Sequence, residues 1–284
     1  MFKFGEFNLC TVSDGKFWLD GGAMFGVVPK VLWNKLNPAD DENRIELGLN
    51  CLLIKTPTKY VLIDTGIGEI LKDKFKNIYK VERDFGLIVS LGKNGVKPEN
   101  IDFVINTHLH FDHCGGNTIE KNGVVVPTFP NAQYIIQKQE WFDATHTNER
   151  TKSSYLRDKF IPVEKAGQLF LADGEYEVLP GIKVVVTNGH TKGHQSVMIE
   201  SDAKKAIYLG DLIPTASHMK LPYIMGYDLL PLNVLEKKKE VIRKAIEEKW
   251  LLIFEHDPKT QFAYLIEENG KQILKPLQNE NFKF

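Results

Sequence analysis

The amino-acid sequence predicts a mixed α/β fold in one compact domain over residues 1–284. Short apolar segments of strand length recur along the chain, and helical stretches lie between them. With 43% apolar and 26% charged residues, the composition is typical of a globular protein and leaves little room for disordered tracts. No internal repeat or low-complexity linker divides the chain.

The first predicted strands, 50–54 and 60–64, form a hairpin through a polar turn. The next strand, 103–106, runs directly into the polar cluster 107–113, and a polar loop at a strand end is a usual place for chemistry. Further apolar runs predict later strands at 134–136, 182–186, 196–199, 206–209 and 251–254.

The last helix is predicted from Asn233 onwards, because Asn233 followed by Glu236 resembles a capping box. Leu235, Val241 and Ile242 approximate one apolar face of this helix. We expect the three consecutive lysines at 237–239 to lie on its solvated face.

Charge and cysteine content narrow the choice of partners and compartment. Lysine plus arginine (36) nearly balances aspartate plus glutamate (37), so nucleic acid is not expected as a partner. Three scattered cysteines do not make a disulfide framework and suit a reducing compartment. Neither a signal peptide nor an apolar run of membrane-spanning length is recognised, so we expect a cytoplasmic protein without a membrane partner.

The strongest chemical signal is the sequence His-Leu-His-Phe-Asp-His at 108–113, on a loop that leaves a strand. Imidazole and carboxylate are donors that zinc accepts, and burying them together is costly without a cation. Further donors follow later apolar strands at His190, Asp211 and His256. The sequence therefore predicts a metal site.

The order HxHxDH, GHTxGH, GD and a late histidine resembles the metallo-β-lactamase fold superfamily over about residues 48–257. The resemblance implies a four-layer αββα sandwich with two metal ions at one edge, zinc being expected, with iron or manganese as alternatives. By the same resemblance, one ion is held by His108, His110 and His190, the other by Asp112, His113 and His256, and Asp211 bridges the two.

The resemblance also implies that Asp64 supports the metal loop without ligation and that His194 is a hydrogen-bonded structural residue. Two dications about 3.5–4 Å apart lower the pKa of a shared water. We therefore expect a bridging hydroxide to attack the substrate. Asp112 and Asp211 are the catalytic residues of this prediction, and Asp112 orients the nucleophile and moves its proton.

Three apolar segments, 21–33, 85–89 and 215–228, are predicted as loops over the metals. Within them Phe25, Trp33, His218 and Tyr223 are candidates for contact with an apolar acyl or aromatic substrate. The alternative is that such aromatic residues fix the loops to the core, or that they bury the interface of a homodimer.

The motifs HLHFDHCGGN, GHTKGHQS and GDLIPT look most like the bacterial branch of N-acyl-homoserine lactonases and organophosphate hydrolases. A small lactone or ester is therefore the expected substrate. One departure is Pro214, where that branch commonly carries a tyrosine, and Tyr223 or Tyr227 is the candidate replacement.

Other activities of the superfamily stay open. A glyoxalase II-like thioesterase uses the same ligands and would bind glutathione through basic residues such as Lys271 and Lys275. A phosphotriesterase and a mononuclear iron sulfur dioxygenase are also compatible with these histidines. A noncatalytic binding module is disfavoured because every ligand position is filled.

Overall fold

Two seven-stranded β-sheets form the centre of the computed structural model, which describes residues 1–70 and 72–277. The first sheet has the order β1-β2-β3-β4-β5-β8-β9, and the second runs in sequence order from β10 to β16. A small hairpin of β6 and β7 stands apart. The strands are β1 Phe2–Phe4, β2 Phe7–Asp20, β3 Arg44–Lys55, β4 Tyr60–Ile63, β5 Phe103–Ile105, β6 Thr118–Lys121, β7 Val124–Pro127, β8 Gln133–Gln137, β9 Leu169–Ala172, β10 Tyr176–Leu179, β11 Ile182–Val186, β12 Gln195–Ser201, β13 Lys204–Tyr208, β14 Leu251–Ile253, β15 Phe262–Glu268 and β16 Lys271–Pro276.

Within the described ranges, eight α-helices connect or flank these strands. They are α1 Gly21–Phe25, α2 Lys30–Trp33, α3 Asp73–Ile78, α4 Leu87–Lys93, α5 Phe111–Cys114, α6 Lys138–Thr145, α7 Ile161–Lys165 and α8 Pro231–Glu247. None of the helices in the described ranges is long and apolar enough to cross a membrane.

The main core lies between the two sheets. Ile63 and Ile105 of the first sheet and Ile199 of the second are fully buried in the same apolar cluster. Burial of such side chains is the main favourable term in folding. The eight predicted strands are confirmed, because each apolar run supplies side chains to this core or to the outer layers.

Helices cover the outer faces of both sheets. Leu91 of α4 and Val163 of α7 pack on the first sheet, while Val241 and Ile242 of α8 pack on the second. Both faces of each sheet are therefore buried in its central strands, which explains their nearly unbroken apolar sequences. The predicted αββα architecture is confirmed.

The start of α8 corrects one prediction. The helix begins at Pro231, two residues before the predicted capping residue Asn233, and Leu230 at its start makes no side-chain cap. Proline suits this position because its fixed φ is helical and its missing N–H would have no partner there. Glu236 forms an ion pair with Lys239 instead of capping the helix.

The lysine run of α8 differs from the prediction at its centre. Lys238 is fully buried, and its Nζ donates to the carbonyl oxygens of Lys220 (2.9 Å) and Tyr223 (2.7 Å). Burial lowers the pKa of Lys238 to about 8. The helix thus holds the segment 220–223 through a buried cation.

Candidate metal centre

Four loops that leave strands converge at one edge of the sandwich. They follow β5, β11, β13 and β14, and two parallel pairings, β4 with β5 and β13 with β14, direct strand ends to this edge. The loops carry the seven donors predicted from the sequence, which the structure brings together: His108, His110, Asp112, His113, His190, Asp211 and His256.

The donors form two adjoining groups, in each of which the ligand atoms lie within 4.8 Å of one another. His108, His110 and His190 make the first group, where Nε2 of His190 lies 3.0 Å from Nδ1 of His110. Asp112, His113 and His256 make the second, where the two Nε2 atoms of the histidines are 3.1 Å apart.

Asp211 lies between the groups and presents one oxygen to each. Its Oδ2 is 3.1 Å from Nε2 of His190, and its Oδ1 is 3.2 Å from Nε2 of His256. A third close group joins Asp211 to His108 and His113. This carboxylate is therefore placed to contact two ions at once.

Polar contacts outside the cluster orient three of the rings. Nδ1 of His190 donates to Asp228 (2.9 Å), and Nδ1 of His256 donates to the Gly48 carbonyl (2.8 Å). Nδ1 of His113 lies 2.8 Å from a Glu255 oxygen. Each contact fixes its ring so that Nε2 faces the other donors, the arrangement usual for histidines that bind metal.

The same metal-binding side chains do not provide one another with enough hydrogen-bond partners. Within the described residues, the buried atoms Nε2 of His108 and Oδ1 of Asp211 have no hydrogen-bond partner. Buried polar atoms without partners are costly, and facing lone pairs repel unless a positive charge lies between them. The residues present therefore fit a dinuclear metal site.

The proton affinities of the cluster follow from burial and from the neighbouring charges. Burial, with the facing rings, holds the pKa of His108 and His110 well below the usual range, so both are neutral imidazoles. Burial would raise the pKa of Asp211, but the rings of His190 and His113 hold it well below its usual range. Neutral imidazole and ionised carboxylate are the forms that bind metal.

Asp64 and His194 lie beneath the donors. Asp64, at a left-handed φ of 55°, accepts hydrogen bonds from the backbone and hydroxyl of Thr107, both 2.7 Å, and lies 3.2 Å from Nδ1 of His113. Nε2 of His194 accepts from the backbone N–H of Asp211 (3.0 Å), and burial lowers the pKa of His194 to about 3. Both residues therefore support the loops that carry the donors.

A cavity of about 360 Å³ opens onto the cluster. Five of the predicted donors reach it, while His108 and His113 lie behind them and are fully buried. Besides those donors, it is lined by Leu19, Ala23, Met24, Tyr79, Phe111, Arg150, Thr151, Ser153, Ser154, Met225, Gly226, Tyr227 and Leu229. The wall is mixed, with apolar side chains together with an arginine and hydroxyls.

The four candidates for substrate contact lie elsewhere, which corrects that prediction. Phe25, Trp33, His218 and Tyr223 are buried and absent from the cavity wall. Phe25 stacks on His218 (ring centroids 4.6 Å apart) and on Trp33 (5.3 Å). Because apolar rings gain more by mutual burial than by facing solvent, they fix the segments 21–33 and 215–228 to the core.

His218 and the segment 85–89 also depart from the prediction. Nδ1 of His218 accepts from the Thr215 hydroxyl (2.7 Å), and its Nε2 donates to the Met24 carbonyl (2.8 Å). This ring braces two loops, and burial lowers its pKa to about 4. Segment 85–89 is not part of the cavity wall, because Leu87 starts α4 on the outer face of the first sheet.

Several functional candidates were missed from the sequence. Asp228 orients His190 across 38 residues, and Glu255 orients His113 across the two sheets. Buried Glu140 accepts from the backbone of Leu109, next to the donors. Glu255 could have been noticed because it is next to the donor His256 in the sequence. Asp228 and Glu140 are not adjacent to any donor in the sequence, so nothing there marks them.

Comparisons with known proteins agree with this geometry. The Metallo-beta-lactamase superfamily profile matches residues 44–262. An N-acyl homoserine lactonase from Bacillus cereus is 31% identical over 76% of this chain and 83% of its own length. The N-acyl homoserine lactonase AttM from Agrobacterium fabrum is 24% identical over 85% of this chain and 92% of its own.

Solved structures have the same fold. A probable metal-dependent hydrolase from Staphylococcus aureus superposes with a TM-score of 0.89 at 32% identity, covering 97% of this chain and 99% of its own. The dizinc quorum-quenching lactonase AidC, in complex with a product, superposes with a TM-score of 0.80 at 21% identity, covering 97% and 96%. By sequence profile, relatives and fold together, the chain belongs to the metallo-beta-lactamase superfamily of metallo-hydrolases.

Proposed function

We propose that this protein is a two-metal hydrolase that opens the ester bond of a lactone, with N-acyl homoserine lactones as its substrate class. The observation that carries the proposal is the position of Asp211, which presents one carboxylate oxygen to each of two donor groups beside a cavity. The B. cereus relative named for this activity supports the choice of substrate class.

In this proposal each group of donors holds one ion. His108, His110 and His190 would hold the first ion, Asp112, His113 and His256 would hold the second, and Asp211 would be shared between them. Nitrogen and carboxylate oxygen donors suit zinc, with iron and manganese as alternatives. When bound, the two ions would supply an activated water and polarise the substrate carbonyl.

The chain's own residues handle the proton and the leaving group. Asp112 lines the cavity and is mostly buried, and its Oδ2 lies 3.8 Å from Nε2 of His113. We assign the carboxylate of Asp112 to accept the proton of the attacking water and to return it to the ring oxygen. The water oxygen adds to the carbonyl carbon, the ring C–O bond then breaks, and the ring oxygen leaves with the returned proton as the hydroxyl of a hydroxy acid.

Tyr227 is the candidate for contact with the substrate carbonyl. It would replace the tyrosine that lactonases of this branch commonly carry at the position of Pro214. Tyr227 lines the cavity, whereas Tyr223 is buried outside it. The Tyr227 hydroxyl is a phenol, which can donate a hydrogen bond to the carbonyl oxygen.

The thioesterase alternative gains no support from its candidate lysines. Lys271 and Lys275 lie on β16 and are absent from the cavity wall, and Lys275 pairs with Glu268. The sulfur dioxygenase alternative uses the same histidines but a different reaction, so the test below also measures its activity.

The test is hydrolysis by the zinc-loaded protein of a panel of homoserine lactones, simple lactones, aryl esters, a glutathione thioester and an aryl phosphotriester. We expect efficient opening of the acylated lactones, abolished by His110→Ala. His146→Ala is the matched control, because His146 is exposed and lies outside the cavity. Feeble turnover of every lactone, or oxygen uptake with a persulfide by the iron-loaded protein, would contradict the proposal.

A further inference from the structure

One part of the cavity wall is polar, although an apolar acyl chain would need no polar contacts there. The segment after α6 contributes Arg150, Thr151, Ser153 and Ser154 to the wall. Most of the remaining wall outside the donor cluster is apolar, including Leu19, Met24 and Phe111. A guanidinium therefore shares one small cavity with the donor cluster and an apolar surface.

Arg150 has no carboxylate partner among the described residues. Arg44, Arg83 and Arg243 each pair with an acidic side chain, at 2.6 to 3.0 Å. The side chain of Arg150 instead makes one hydrogen bond, from Nη2 to the Gly226 carbonyl (2.9 Å). A guanidinium has five N–H donors, so most of this set is free towards the cavity and solvent.

The single bond of Arg150 also sets its position. Gly226 lies on the opposite loop and lines the cavity, so the contact holds the guanidinium across the rim between two loops. The Ser153 and Ser154 hydroxyls make no hydrogen bond within the described chain, which leaves two neutral donors in the wall of the same cavity. A planar fork with nearby hydroxyls is suited to a carboxylate.

We propose that Arg150 binds a carboxylate on the substrate remote from the scissile bond, so that the preferred substrates are lactones whose acyl chain carries an acid group. The inference rests on the proposed lactone hydrolysis. Arg150 would also orient the substrate. The acid group of the acyl chain would otherwise compete with the lactone carbonyl for the metal site, and Arg150 gives that acid group another place to bind.

The experiment compares hexanoyl-homoserine lactone with the lactone whose six-carbon chain ends in a carboxylate. We expect kcat/KM of the wild type to favour the acid by about tenfold or more, as for a charge-assisted hydrogen bond. Arg150→Gln loses the charge and is too short to keep the bond to the Gly226 carbonyl, so the readout is the ratio of kcat/KM for the acidic and the neutral lactone. This variant should abolish the preference, with a ratio of about one. Arg150→Lys should restore part of it. Lys152→Met is the control, since Lys152 is an exposed cation outside the cavity wall.

Binding of the corresponding lactams, which resist opening, separates this inference from the proposed function. If both lactones are opened equally well, or if Arg150→Gln slows both equally, the carboxylate assignment is wrong and lactone hydrolysis stands. If neither lactone is opened but the acidic lactam binds in an Arg150-dependent manner, the proposed reaction is wrong and the assignment stands. A preference for an uncharged 3-oxo chain over the acid would also overturn it.

Discussion

Asp211 contacts both donor groups, and no other carboxylate in the described ranges is placed in this way. Its replacement should therefore affect both ions together. We predict that Asp211→Ala binds fewer than two metal ions per chain and loses lactone hydrolysis, measured by elemental analysis after gel filtration and by turnover. Full metal content with wild-type turnover in this variant would rule out the dinuclear assignment.

Asp228 acts through His190, from whose Nδ1 it accepts a hydrogen bond at 2.9 Å. Outer partners of this kind change metal affinity by about 10- to 100-fold when they are replaced. We predict that Asp228→Ala weakens zinc binding by that factor, whereas Asp228→Asn, which keeps an acceptor for Nδ1, weakens it less. Competition with a chromophoric chelator measures both. Equal affinities of the wild type and Asp228→Ala would show that His190 is oriented without it.

At the same scale, the donors could be predicted from the sequence but their neighbours could not. His108 to His113 stand within six residues of one another, so chemistry and spacing point to them together. Asp228 and Arg150 act across loops that meet only in the folded chain. Phe25 and Tyr223 were misplaced because an aromatic loop residue has the same sequence signal whether it faces a cavity or the core.

Among the elements, α8 does more than cover the second sheet. Its buried Lys238 holds the segment 220–223, and Asp228, which favours the charged lysine, lies on the same loop. The start of α8 was predicted wrongly because two possible helix starts, Pro231 and Asn233, lie only two residues apart. The sequence does not show which of them begins the helix.

Lys238 leads to a pH prediction. Folding lowers the pKa of Lys238 from 10.5 to about 8, so between these values the unfolded chain binds more protons. The free energy of unfolding of the wild type should therefore rise with pH in this window, relative to Lys238→Met, by up to about 3 kcal/mol. Denaturant unfolding of both metal-loaded proteins from pH 7 to 10 measures the difference. A constant difference would mean that Lys238 titrates normally when folded.

At the scale of the whole molecule, the donor cluster draws its residues from both sheets. His108, His110, Asp112 and His113 follow β5 of the first sheet, whereas His190, Asp211 and His256 follow strands of the second. The αββα layers could be predicted because the metal-binding motifs identify the superfamily, and its members share this fold. The single domain and the homodimer stay predictions.

Metal removal should therefore lower global stability. A ligand present at about a thousand times its dissociation constant stabilises the folded state by about 4 kcal/mol. We predict that chelation lowers the melting temperature by about 10 °C, reversibly on adding zinc, in a calorimetric scan. His110→Ala should show a smaller shift. An unchanged melting temperature would mean that the sheets are held together without the ions.

The boundary between the two sheets falls in the short connection 173–175. The first sheet is complete at Ala172, the second begins at Tyr176, and Gly174 lies between them in a turn. Cutting the gene there would yield two fragments, each with an incomplete share of the donors. Neither fragment alone would hold both donor groups, so the return of activity on mixing would report that the two sheets had reassembled around their shared apolar core.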